Sequence, residues 1–107
     1  MSDPYKTQAR EVAHSARMSE HELRALPNVG PAVARMLVRI GVDGEADLRG
    51  RDPAELYGRV CESAGARQDV CLLDTFAAIV DHAGGAPARP WWEYSRERKR
   101  REKEIRR

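Results

Sequence analysis

The sequence predicts a small all-α domain, and three observations predict it. Apolar residues recur at helical spacing in several segments, no segment alternates apolar with polar residues as a strand would, and helix start and stop residues bracket each apolar run. The chain has 107 residues, 41% of them hydrophobic and 34% charged, which is enough for one domain with a small core.

Taken in order, residues 1–18 carry no sustained periodicity and are expected to form a flexible arm. Ser19-Glu20-His21-Glu22 has the Ser-x-x-Glu form of a capping box and is expected to start a short helix through Leu23 and Leu26. Pro27 ends it, because its ring disfavours helical backbone at the residue before it. Pro31 suits the first position of the next helix, where a missing N–H removes no bond the helix needs. Val33, Met36, Leu37 and Ile40 line one face of that helix, and Gly41 stands where a left-handed cap is wanted. Asp52-Pro53-Ala54-Glu55 repeats the start signal for a helix with Leu56, Tyr57, Val60 and Cys61 on its apolar side, closed by Gly65. Asp69 can cap a further helix carrying Leu72, Leu73, Phe76, Ile79 and Val80, ended by Gly84-Gly85. A stiff Ala86-Pro87-Ala88-Arg89-Pro90 linker leads to Trp91-Trp92-Glu93-Tyr94. The domain is therefore expected over residues 19–94, followed by a basic tail over 95–107 that is helical or disordered.

Net charge is +2, but it is unevenly spread. The tail SRERKRREKEIRR holds eight Lys or Arg against three Glu, a net of +5, and the other 94 residues hold eleven against fourteen, a net of −3. An acidic body with a basic tail suggests an anionic partner. Ile105 is the only aliphatic residue in the tail, so no buried face is expected there. No run of 18 apolar residues is present, MSDPYKTQAR has no signal-like apolar stretch, and Cys61 and Cys71 form no disulfide framework. A cytoplasmic protein that does not enter the membrane is expected.

The stretch Leu26-Pro27-Asn28-Val29-Gly30-Pro31 must reverse the chain between two helices. Asn28 tolerates positive φ, Gly30 allows close backbone approach, and Val29 between them should point inward. Ala34, four residues after Gly30, is small enough for close helix packing. The helix opened by Pro31 begins with uncommitted N–H groups and the positive end of its dipole, which together suit a phosphate held by main chain without base reading. Arg24, Arg35 and Arg39 are near enough in sequence to flank it.

"LRALPNVGPAVARMLVRIGV" resembles the helix-hairpin-helix motif, matching its turn at Leu26, Pro27, Val29, Gly30 and Ala34 and departing at Asn28, where glycine is commoner. The longer pattern from "LPNVGPAVARML" through "DPAELYGRVCESAG" and "DVCLLDTFAAI" to "WW" resembles the bacterial "pathogenicity locus" family over residues 19–94. The resemblance implies a small SAM-like helical bundle, in which the helices at 53–63 and 69–83 are candidates for a pseudo-duplicated second half without a phosphate site. It leaves the biochemical role open.

Each feature has a plainer alternative. The turn could be a connector or a protein-docking element. Cys61 and Cys71 read as two buried thiols rather than as a redox pair or as metal ligands with His14, His21 or His82. Trp91, Trp92 and Tyr94 could stack on bases beside a basic tail, but in a chain this poor in aromatics they read as a lid over the core, leaving at most one Trp exposed. No GxSxG, GxxxxGK or HExxH occurs, so no catalysis is expected. The residues together point to non-sequence-specific binding of DNA, with RNA as a second candidate, through Asn28, Val29, Gly30 and Ala32, with Arg24, Arg35, Arg39, Lys99, Arg100 and Arg101 supplying charge. The expectation includes no cofactor, no metal and no small-molecule substrate. A non-catalytic protein-interaction adaptor is the rival reading.

Overall fold

In a computed structural model, residues 17–106 are described. Among them are α1 (17–24), α2 (Pro31–Arg39), a 3-10 turn (Glu45–Leu48), α3 (Pro53–Ala64), α4 (Cys71–Ala83) and α5 (Trp91–Ile105), with no strand. The arm expected over 1–18 and His14 lie outside the described residues, apart from Arg17 and Met18, which are already helical. Ser19 is consequently inside α1 rather than at its start, and it is buried instead of capping.

The most apolar element, α4, is the one on which the 3-10 turn, α3 and α5 pack. Phe76 and Ile79 on α4 meet Leu23 of α1, Ala34 and Leu37 of α2, Val42, Leu48 of the 3-10 turn, and Leu56 and Val60 of α3 in one core. Fully burying such a side chain contributes about 1.5–3 kcal/mol. Ala34 is completely buried, as its small size requires where helices approach closely.

Helix boundaries follow from local chemistry. Gly41 adopts φ 91° after α2, and Val42 N–H returns to the Leu37 carbonyl at 3.0 Å, which turns the chain and buries Val42. Asp52 caps α3 by accepting from Ala54 N–H at 2.9 Å, and Gly65 closes it at φ 68°. Asp69 accepts from Cys71 N–H at 2.8 Å at the start of α4. Each such carboxylate cap is worth about 1 kcal/mol.

The last helix corrects one expectation. α5 runs unbroken through Tyr94 and Ser95, so the basic segment continues a helix already docked on α4. It does bury a face, by polar rather than aliphatic contacts. Asp74 of α4 is 3% exposed; its carboxylate accepts from Ser95 Oγ at 2.5 Å and from Arg98 Nε and Nη2 at 2.9 and 3.1 Å. A forked guanidinium on a buried carboxylate fixes orientation as well as distance. Tyr94 OH donates at 2.8 Å to Asp81, about two turns after Asp74 along α4. No helix among the described residues is long and apolar enough to cross a membrane.

Candidate functional site

The turn between α1 and α2 is held from within. Leu26 N–H bonds to Leu23 O at 3.0 Å and Val29 N–H to Leu26 O at 3.2 Å, after which Val29 is buried at 7% exposure. Asn28 sits at φ 68°, a conformation most side chains adopt only at a penalty of about 1–2 kcal/mol. Its side chain then reaches across the molecule. Nδ2 donates to Arg89 O at 2.8 Å, and Oδ1 accepts from Trp91 N–H at 3.1 Å. Asn28 therefore caps α5, whose own N-cap residue is Pro90 and offers no side-chain acceptor. A glycine could adopt the same backbone shape but could make neither bond.

Gly30 is the N-cap of α2 in extended backbone, φ −89° and ψ −179°, so it is not there for positive φ. A Cβ built on it would meet nothing within 4 Å, so the close backbone approach expected at Gly30 does not occur. Its carbonyl accepts from Ala34 N–H at 2.9 Å, Pro31 has no N–H, and among the described residues the amides of Gly30, Ala32 and Val33 find no backbone partner. Gly30, Pro31 and Ala32 are exposed. The starts of α3 and α4 are closed by aspartates and that of α5 by Asn28, whereas no side chain caps α2. The open face thus comprises Gly30 and Ala32, with Val29's amide used internally and Asn28's side chain engaged elsewhere.

The flanking cations divide. Arg24, Arg35 and Arg39 are exposed and make no ion pair among the described residues. Arg35 stands one turn into α2, while Arg39, nine residues from Gly30, is about 13 Å along the helix axis at 1.5 Å per residue. Arg39 lines a separate cleft with Met36, Val60 and Gln68. Lys99, Arg100 and Arg101 are also exposed and unpaired among the described residues, but being consecutive they face three ways. Lys99 lines a cleft with Cys71, Trp91 and Trp92; Arg100 lies beside Arg89 and Glu97; Arg101 lies beside Asp52 and Tyr94.

Trp91 and Trp92 are both exposed, at 37% and 49%, so the expected lid is not formed by them. Tyr94 takes that role, buried to 9% with its hydroxyl on Asp81, and burial followed by the Asp81 hydrogen bond pushes the phenol's pKa up. Arg96, which the sequence analysis did not select, lies over the Trp92 ring at 5.6 Å from its centroid. Arg89 is consumed by Glu93 at 2.8 Å and Glu97 at 2.7 Å, and the Arg89 hydrogen bond holds the Glu97 carboxyl below its ordinary range.

The cysteines are half-buried free thiols rather than fully buried ones. Cys61 Sγ accepts from Gln68 N–H at 3.4 Å. The Cys71 thiol is pushed up, first by its hydrogen bond to Asp69 and then by burial, which disfavours a reactive thiolate. Among the described residues no three His, Cys, Asp or Glu side chains are grouped to hold a metal ion.

The residues from 16 to 100 match the family model described as "Pathogenicity locus" (Cdd1). The chain belongs to the pathogenicity locus family. It is also 56% identical over 79 residues to a Streptomyces lavendulae protein named "Mitomycin resistance protein McrB", covering 74% of this chain and 75% of that one. No solved structure matches it.

Proposed function

We propose that the chain is a non-catalytic nucleic-acid-binding module that grips the phosphate backbone, of DNA foremost, through a helix-hairpin-helix unit formed by α1, the 25–30 turn and α2. The observation that carries this reading is the open start of α2, where the amides of Gly30, Ala32 and Val33 have no backbone partner among the described residues and no side chain caps the helix. A helix N-terminus of this kind favours an oxyanion through its free donors and its dipole. Arg24 and Arg35 add charge beside it, and Lys99, Arg100 and Arg101 add a more distant attraction. In the SAM-like reading α3 and α4 form the second half. The Asp69 carboxylate occupies the corresponding helix start there and repels an anion.

Contacts to backbone position a protein without reading sequence, so affinity should be modest and salt-sensitive. Duplex DNA should bind with Kd of about 10⁻⁴–10⁻⁶ M at physiological salt, with log K falling by about 0.9 per phosphate contact for each decade of salt. Fluorescence anisotropy of a labelled duplex tests this with two variants. Gly30→Asp puts a carboxylate in open space at the helix start and should weaken binding at least tenfold without lowering the melting temperature. Lys99→Gln/Arg100→Gln/Arg101→Gln should flatten the salt slope by about 2–3. Binding by both variants equal to the parent's would refute the reading. The adaptor reading is favoured by the −3 charge of residues 1–94 and predicts no salt-dependent affinity for the duplex at all.

A further inference from the structure

We infer that the nucleic acid this surface takes is single-stranded, with unpaired bases stacking on Trp91 and Trp92. The inference rests on the backbone-binding reading and specifies its substrate. Three observations converge on one side of α5. First, two tryptophans remain 37% and 49% exposed in a chain that has only six aromatic residues and a closed core. Second, the Asn28 bridge to Arg89 O and Trp91 N–H, at 2.8 and 3.1 Å, ties the backbone at the start of α5, which carries these rings, to the turn that opens α2. Third, Trp92, Arg96, Lys99, Lys103 and Arg106 recur at spacings of four and three residues, so they share one side of α5 over about 21 Å.

None of those four cations makes an ion pair among the described residues, whereas Arg89 and Arg98 on other sides of the same region are held by carboxylates. Of the six cations of residues 96–106 that make no ion pair among the described residues, four therefore lie on the aromatic side, Arg100 and Arg101 being the other two. Trp91, Trp92, Arg96 and Lys99 line an open cleft there with Cys71 and Ser95. The Arg96 guanidinium over the Trp92 ring brings a cation to the platform itself. An intact duplex keeps its bases stacked on one another and can use only the cations. A single strand can use both, with bases on the rings and phosphates along the cationic side, which is how proteins hold single strands without sequence preference. The charge sign excludes an anionic partner's opposite, and the flat apolar rings suit nucleobases better than they suit a purely acidic peptide.

The test compares a labelled 20-nucleotide thymidine strand with a 20-base-pair duplex and with poly-glutamate, using the full chain, Trp92→Ala, Trp91→Ala/Trp92→Ala and Gly30→Asp, each checked for an unchanged melting curve. Both rings are surface residues, and Gly30→Asp retains them, so a folded control is available whatever the double variant does. The single strand should bind at least tenfold tighter than the duplex, with intrinsic tryptophan fluorescence quenched and a salt slope of about −3, or −0.7 for each of four phosphates. Trp92→Ala should lose about tenfold for the strand and leave the duplex unaffected. Equal affinity for strand and duplex with no effect of Trp92→Ala overturns the inference while leaving backbone binding intact. Poly-glutamate binding as tightly as the strand also overturns it. Failure of every nucleic acid to bind removes the underlying reading and this one with it.

Discussion

Replacing Arg98 with methionine removes a guanidinium from a carboxylate that has almost no access to water. The Asp74 side chain is 4% exposed and that of Arg98 17%, and the pair shares two close contacts, at 2.9 and 3.1 Å. Removing one partner of a buried pair typically destabilises by 3–5 kcal/mol, roughly, because the remaining charge stays buried. Ser95 still donates to Asp74, and the methionine keeps most of the apolar stem in place, so the lower end applies, about 3 kcal/mol. For a domain of this size each kcal/mol shifts the melting temperature by about 4–8 °C, giving a fall of roughly 12–24 °C. The double variant Asp74→Leu/Arg98→Met removes both charges and should melt within about 5 °C of the parent, since apolar replacement of a buried pair is often neutral. Thermal melts followed by circular dichroism at 222 nm report both values. A fall of less than 4 °C for Arg98→Met, or a double variant that loses as much as the two single variants combined, would refute the claim that this pair docks α5.

Asn28 combines a backbone role with a bridging role, and two variants separate them. Asn28→Gly keeps the φ of 68° and loses both bonds to residues 89 and 91, for a loss of about 1–2 kcal/mol in denaturant melts; Asn28→Ala should lose about 1 kcal/mol more from strain. Tyr94 has its pKa raised above the ordinary 10.0, so its contribution to stability is complete below pH 10 and fades as pH rises through the higher folded-state value. Tyr94→Phe should melt less steeply with pH in that alkaline range, and absorbance titration of the parent should show one tyrosine ionising late. With Cys61→Ser in place, the remaining Cys71 thiol should react with a disulfide reagent at pH 8 more slowly than a free peptide thiol, because Asp69 and burial disfavour its thiolate.

Much of the fold was legible because its helices are bounded by local chemistry. Pro31, Asp52-Pro53, Gly65 and Asp69 act within one turn of themselves, so the sequence alone located α2, α3 and α4 closely. Ser19 misled because its Ser-x-x-Glu pattern is local too, while α1 is already helical at Arg17. What could not be read depends on partners far along the chain. Asn28 looks like a turn residue until its bonds 61 and 63 positions away are seen. The docking of α5 leaves no aliphatic periodicity to read, because Ser95 and Arg98 make it on Asp74. At the candidate site, the open start of α2 followed from Gly30-Pro31, but the choice of cations did not. Arg98 and Lys99 are adjacent and equally basic in sequence, and only the seam with α4 commits one and frees the other. The spacing of Trp92, Arg96 and Lys99 was readable and would have pointed to Arg96.

Charge and scaffold overlap in the last helix, and this governs how the protein can be dissected. Deleting everything after Tyr94 looks like a clean amputation of a positive extension, yet it would also orphan a buried carboxylate in the first turn of α4. A lost phenotype after such a cut would report a collapsed body as readily as a missing electrostatic handle. Trimming beyond Glu102, or neutralising side chains one at a time, keeps the two contributions apart.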